Sequence, residues 1–149
     1  MKNSLAIILG IFSLFLISCD SDNDKEEIVV RKFSFTDFPQ EWKLVGVRSA
    51  MIPNAEVEKD LDYNESYTFY EDHTFQKKSN VEGEVHIAEG VFSINDSEII
   101  MLEYGEESNL IANCSSRSKI ENLNFSEDQL VNGSWVACDG PYLYYKRIE

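Results

Sequence analysis

The sequence predicts an all-β domain, an antiparallel up-and-down meander of about eight strands. Three observations predict it. From about Phe33 onward apolar and polar residues alternate at period two, and no sustained stripe of period 3.6 is present. The alternating runs are rich in β-branched and aromatic residues, which suit a pleated, half-buried surface. Turn-forming clusters separate them at intervals of roughly 8–12 residues. The 149 residues have the length of one domain, and 43% hydrophobic with 12% aromatic residues is enough to build a packed core.

In chain order, Thr36-Asp37-Phe38-Pro39-Gln40-Glu41 has room for one short turn before a Trp-led strand, Glu41-Trp42-Lys43-Leu44-Val45-Gly46-Val47. Residues 51–64 carry Pro53, Asn54, Glu56, Glu58, Asp60 and Asp62 without strand alternation. They read as a long acidic loop, and such loops are usually functional or mobile. Ser66-Tyr67-Thr68-Phe69-Tyr70 is a strand, Glu71-Asp72-His73 a turn and Thr74-Phe75-Gln76-Lys77-Lys78 the returning strand. Two short runs follow, Glu84-Val85-His86-Ile87 and Gly90-Val91-Phe92-Ser93-Ile94, stopped by Asn95-Asp96-Ser97. Residues 98–104 and 109–114 read as strands on either side of a Gly105-Glu106-Glu107 turn. Residues 119–125 alternate, Ser126-Glu127-Asp128 turns, 129–131 resume and 142–147 end the series. Such a meander either closes on itself or pairs into a sandwich, and closure removes the edge strands that invite aggregation.

The N-terminus carries an address. Lys2 supplies a short positive region, and residues 5–17 are apolar apart from Gly10 and Ser13, the length of a signal-peptide core and too short for a comfortable span. Leu16-Ile17-Ser18-Cys19 resembles the lipobox of bacterial lipoproteins, which implies cleavage before Cys19 and acylation, by palmitate among others, of its sulfur and new amino group. The expected organisation is a signal peptide over 1–18, an acidic flexible tether over 19–32 and a β domain over 33–149. The tether, from Asp20 to Glu27, has no apolar residue to bury. Several acyl chains on one residue anchor firmly. The expected location is therefore the bacterial cell envelope, at the outer membrane, on its periplasmic or its surface face.

Charge excludes one class of partner. With 27 acidic against 13 basic residues and a net charge of −14, the chain lacks the basic face that nucleic acid requires. Asp20, Asp22 and Asp24 have calcium-loop spacing, but Lys25 stands where the loop needs Gly and Arg31 where it needs Glu. Asp60, Asp62, Asn64 and Glu71 imitate the same loop with Glu65 at the Gly position. No metal and no cofactor is expected. Once Cys19 carries lipid, Cys114 and Cys138 remain as an even pair in an oxidising compartment. A disulfide between them closes a loop of about 25 residues, worth about 3.5 kcal/mol in the chain-entropy model.

The residues assemble no catalytic motif. His73 falls in a turn, His86 is expected to point outward from a strand, and Ser134 in Gly133-Ser134-Trp135 reads as turn. No nucleophile elbow, phosphate loop or zinc-protease helix is present, so the chain is not expected to be an enzyme.

Three segments carry a family resemblance. The strand beginning at Glu41-Trp42 comes first. Tyr67-Thr68-Phe69-Tyr70-Glu71-Asp72-His73-Thr74-Phe75 is similar to the "Y-T-F-x-x-D-G-T-F" hairpin of the lipocalin-like lipoproteins common in Bacteroidetes. Trp135-Val136-Ala137-Cys138-Asp139-Gly140-Pro141-Tyr142-Leu143-Tyr144-Tyr145-Lys146 resembles their "W-x-x-C-D-G-P-x-L-x-Y-x-K" ending. Departures are His73 for the turn Gly and Gln40 for the Gly of G-x-W. The resemblance implies a lipocalin-like barrel in which Trp42 plugs the closed end and Arg147, or alternatively Lys146, stacks on it by a cation–π contact.

An eight-stranded barrel is just wide enough to be filled by its own side chains or to hold one small ligand. Two functions follow. In the first, the barrel binds a small apolar ligand, with Tyr67, Phe69 and Phe75 as the inward-facing candidates by strand parity. In the second, the barrel is solid and the protein acts through its surface as an adaptor or inhibitor of an envelope protein.

Overall fold

The computed structural model describes residues 32–115 and 117–148. The signal segment, Cys19 and all of the tether but Lys32 lie outside the described residues. Eight strands pair in chain order: β1 (Gln40–Arg48), β2 (Tyr63–Phe69), β3 (Thr74–Val81), β4 (Glu84–Ile94), β5 (Ile99–Tyr104), β6 (Ile120–Ser126), β7 (Gln129–Asn132) and β8 (Tyr142–Arg147). β8 then pairs antiparallel with β1, so the meander closes into an up-and-down barrel rather than a sandwich. Closure puts alternate residues of every strand inside, which is why Phe69, Phe75, Leu102, Leu123, Leu130 and Tyr145 are all buried.

The two ends of the barrel differ. Short turns join β2 to β3, β4 to β5 and β6 to β7 at one end. The first shows how the sequence builds them: Asp72 Oδ1 accepts from the Thr74 amide (3.0 Å) and hydroxyl (2.6 Å). His73 stands at φ 64°, the left-handed region where Gly is easiest, and its ring packs against Phe92 at 5.4 Å. Residues 32–39 cross this end. Phe33 stacks on Trp42 (6.2 Å between ring centres) and meets Phe69, Phe92 and Phe125 edge-on. Gln40 is fully buried and bonds the backbone of Ser34 through both ends of its amide. Trp42 and Arg147 are cross-strand neighbours and both buried. The Arg147 guanidinium donates to Asp37 Oδ2 (2.6 Å) and to the Lys32 carbonyl (3.1 Å), tying the crossing segment down. Lys146 points the other way and pairs with Asp128 at 3.0 Å.

The opposite end, the mouth, carries the long connections: residues 49–62, 105–119 and 133–141. Several expectations change here. Residues 109–114 form no strand; Leu110 and Ala112 are held inward by the side chains of Lys77 and Glu121 instead of by a ladder. β2 begins at Tyr63, inside the stretch expected to be loop, and Glu58 bridges Val47 through two backbone hydrogen bonds of 2.9 and 2.8 Å. The two runs at 84–87 and 90–94 are one strand, because Ala88 faces the core and β3 pairs without a break from Glu84 to Val91. Glu98 is in the preceding turn, at φ 59°. Glu71 lies at the far end of β2 from Asp60 and Asp62, so the four residues of the imitated calcium loop do not meet.

Candidate functional site

Strand parity places more than apolar residues inside. Glu65 shares a face of β2 with Tyr67 and Phe69, Lys77 follows Phe75 on β3, and Glu121 precedes Leu123 on β6. All three charged residues are buried. They meet near the mouth: Lys77 Nζ lies 3.0 Å from Glu121 Oε1 and 3.3 Å from Glu65 Oε1, and donates to the Leu110 carbonyl at 2.7 Å. Buried charges survive only when neighbours satisfy their remaining lone pairs and protons. Here the phenols do so. Tyr67 and Tyr104 donate to Glu121 Oε2 at 2.7 and 2.6 Å, Tyr145 donates to Glu65 Oε1, and the Ala112 amide donates to Glu121 Oε1. Asn132 completes the network on the Tyr67 hydroxyl at 3.3 Å.

The environment sets the protonation of these groups. Burial pulls the Lys77 ammonium down, yet the charges and hydrogen bonds of Glu121 and Glu65 outweigh it and hold the group above the ordinary lysine value. For Tyr67 and Tyr104 burial is the main cause of a strong upward shift, reinforced by the charge of Glu121. Tyr145 is raised well above the ordinary phenol by burial and by Glu65. The phenols stay protonated and donate; the lysine stays charged.

Above this network lies a cavity of about 250 Å³, with Glu65 and Lys77 at its base and Tyr63, Leu110, Trp135 and Leu143 among its walls. Asn109, Leu110 and Ala112, from the connection between β5 and β6, roof it. The roof is pinned from below by the contacts to Leu110 and Ala112, and from the side by the disulfide between Cys114 and Cys138, whose Cα atoms are 5.5 Å apart. Trp135 adds a third pin, its indole N–H donating to the Asn113 carbonyl at 3.0 Å. Ser134, expected in a turn, is in one, and its hydroxyl accepts from the Asn122 amide at 2.9 Å. Both half-cystines are exposed, so a reductant reaches them without unfolding the domain. Reduction, or replacing both cysteines by serine, should cost about 3.5 kcal/mol by the loop-closure argument. A urea titration with and without reductant reads this directly, and an unchanged midpoint would show that the roof is held by its polar contacts alone.

Tyr67, Phe69 and Phe75 face inward and are fully buried; none of the three lines the mouth cavity. Tyr67 belongs to the charged network, while Phe69 and Phe75 pack into the aromatic cluster below it. Glu65, Lys77 and Glu121 are not among the residues that the sequence motifs single out. Their signal was positional, since extending the parity of Tyr67, Phe75 and Leu123 by one step puts a charge on an apolar face each time. His86 reverses its expected direction. Val85 and Ile87 point outward, and His86 shares the inner parity of Ala88, with its Nε2 at 3.5 Å from Glu84. Ser79 is its cross-strand neighbour, but among the described residues no hydrogen bond joins the two, so no nucleophile–base pair is assembled. Among the described residues no group of three or more His, Cys, Asp or Glu is placed to hold a metal ion.

Comparison with known proteins found no matching family model, no matching curated protein and no matching solved structure.

Proposed function

We propose that the chain is a lipid-anchored protein of the bacterial cell envelope, a lipocalin-like lipoprotein tethered through Cys19, whose barrel binds a small amine-bearing molecule at its mouth and does no chemistry on it. The observation that carries this reading is the charge balance under the roof: the carboxylates of Glu65 and Glu121 face one ammonium, that of Lys77. Glu65 keeps a side-chain exposure of 10% and lines the cavity, so the excess negative charge is accessible there. A ligand ammonium beside Glu65 would neutralise it, and Tyr63 and Trp135, which line the same space, are aromatic rings on which a cation can stack. Leu110 and Leu143 leave room for a short apolar tail. At about 250 Å³ the cavity is below the roughly 300–1,000 Å³ of drug-sized sites, so the ligand is small. The polar base and the packed interior beneath it favour an amphipathic amine over the wholly apolar ligand expected for an open barrel.

Butylammonium is a suitable probe, with butyrate as its like-sized anionic control. The indole N–H resonance of Trp135 should shift saturably with butylammonium and stay fixed with butyrate. Glu65→Gln should weaken the response about tenfold or more, the loss of one charged contact. Equal responses to the two probes, or an unaltered response in Glu65→Gln, would overturn the reading.

A further inference from the structure

β4 is longer than the strand beside it. β3 pairs with β4 from Val81↔Glu84 to Thr74↔Val91, whereas β5 covers only Gly90 to Ile94. Beyond Tyr104 the chain leaves the sheet, its last tie being the Gly105 amide on the Glu89 carbonyl at 3.0 Å. The ladder directions follow from two bonds. The Phe92 amide donates to His73 on the β3 side, and the Glu89 carbonyl accepts on the β5 side. By alternation, the backbone N–H and C=O groups of Val85 and Ile87 also point to the β5 side, where no described residue pairs with them. The barrel is closed in its middle and carries an open edge at its mouth.

Edges of this kind are normally blunted by charged side chains, by proline, by a bulge or by covering chain. Among the described residues this one has only the first, its flanking carboxylates. Its side chains also invert the usual pattern: Val85 and Ile87 are 48% and 54% exposed while His86 takes the inner face. Alongside runs a cavity of about 450 Å³, bounded by Ile87, Ala88 and Glu89 on one side and residues 105–108 on the other. Its rim carries the carboxylates of Glu89, Glu106 and Glu107, and Glu84, also exposed, flanks Val85 on the strand itself.

We propose that this edge is a docking site for an extended basic segment of a partner protein, which adds to the sheet as a strand beside β4. Main-chain bonds to Val85 and Ile87 supply the pairing, and alternate apolar side chains of the segment cover their exposed side chains. Its lysines or arginines fall between these on the other face, with Glu84, while the exposed carboxylates of Glu89, Glu106 and Glu107 add attraction over a longer distance. A second copy of this chain is a poor occupant, because it would bring the same acidic rim and a further net charge of −14. The proposal does not depend on what fills the mouth cavity.

The test uses the full chain in detergent and a fluorescent peptide of alternating valine and lysine, followed by anisotropy. Binding should be saturable and weaken with salt, since the rim charges are exposed. A glycine–lysine peptide of equal charge and a valine–glutamate peptide should bind at least about tenfold more weakly. Val85→Pro and Ile87→Pro each remove an N–H that makes no bond within the barrel, so the fold tolerates them while the edge is blocked. Each should weaken the valine–lysine peptide about tenfold with little change in thermal midpoint. Ile87→Lys, which keeps the backbone and adds a like charge to the peptide's, serves if either proline variant unfolds. Equal binding of the glycine–lysine peptide, or undiminished binding in the folded edge variants, would overturn the proposal. So would a dimer that these variants dissociate, which would assign the edge to a second copy.

Discussion

Replacing Lys77 by methionine should cost about 3–5 kcal/mol, close to the whole stability of a small domain. The substitution is nearly isosteric, so the loss is electrostatic. It leaves Glu65 and Glu121 buried a few ångströms apart with no cation between them, and frees the Leu110 carbonyl that Lys77 holds. Neutralising the carboxylates as well, in Lys77→Met/Glu65→Gln/Glu121→Gln, should recover most of the loss, because an uncharged, hydrogen-bonded cluster has little desolvation penalty to offset. With Glu65→Gln/Glu121→Gln as the fourth corner, the wild type, Lys77→Met and the triple variant form a cycle that separates the ion pairing from mere packing. Urea midpoints measure it. A single variant that loses less than about 1 kcal/mol, the range of a surface pair, would mean that the ammonium is solvated rather than enclosed.

Alkali should unfold the domain steeply. Tyr67, Tyr104, Tyr145 and Lys77 all have folded-state values above their unfolded ones, about 10 for tyrosine and 10.4 for lysine. A raised folded value contributes stability that is complete below the unfolded value and is lost as pH climbs toward the folded one. With four such groups the unfolded chain releases four protons that the barrel retains, so stability should fall by about 5 kcal/mol per pH unit above pH 10 to 10.5. Unfolding within about two pH units is expected for a domain of ordinary stability. Tyrosinate absorbance should then show two stages among the 7 tyrosines, with the three buried phenols ionising only as the β-sheet circular dichroism collapses. Smooth ionisation of all tyrosines with the sheet intact would show that water reaches the network.

Much of the barrel was legible because a strand reports its own burial. In β2, Tyr67 and Phe69 alternate with Ser66 and Thr68, and a half-buried sheet forces that pattern whatever lies across from it. The turn at Asp72-His73 was legible for a like reason, since Asp72 bonds Thr74 two residues away. Reading failed where a segment is held by something distant. Residues 109–114 have strand composition, but the side chains of Lys77 and Glu121 take up Leu110 and Ala112 before any neighbouring strand does. His86 was misread because its neighbours Val85 and Ile87 are apolar yet lie on the outside, at an edge whose existence depends on where β5 stops.

The candidate site was the least legible part. Lys77 and Glu121 are 44 residues apart and Tyr145 and Glu65 are 80 apart, so no local spacing links them. By itself the sequence determined most of the strands, the inward faces of those in mid-barrel and the cysteines available for pairing, because these follow from period-two alternation and from residue chemistry that acts over a few positions. Tertiary structure alone decided that the barrel closes between β8 and β1, that aromatic rings fill one half, and that two carboxylates and an ammonium share the other. The physical reason is range: alternation is set along one strand, while a buried charge is tolerable only where partners from β2, β3, β5, β6 and β8 converge, and that convergence exists only once the sheet has closed.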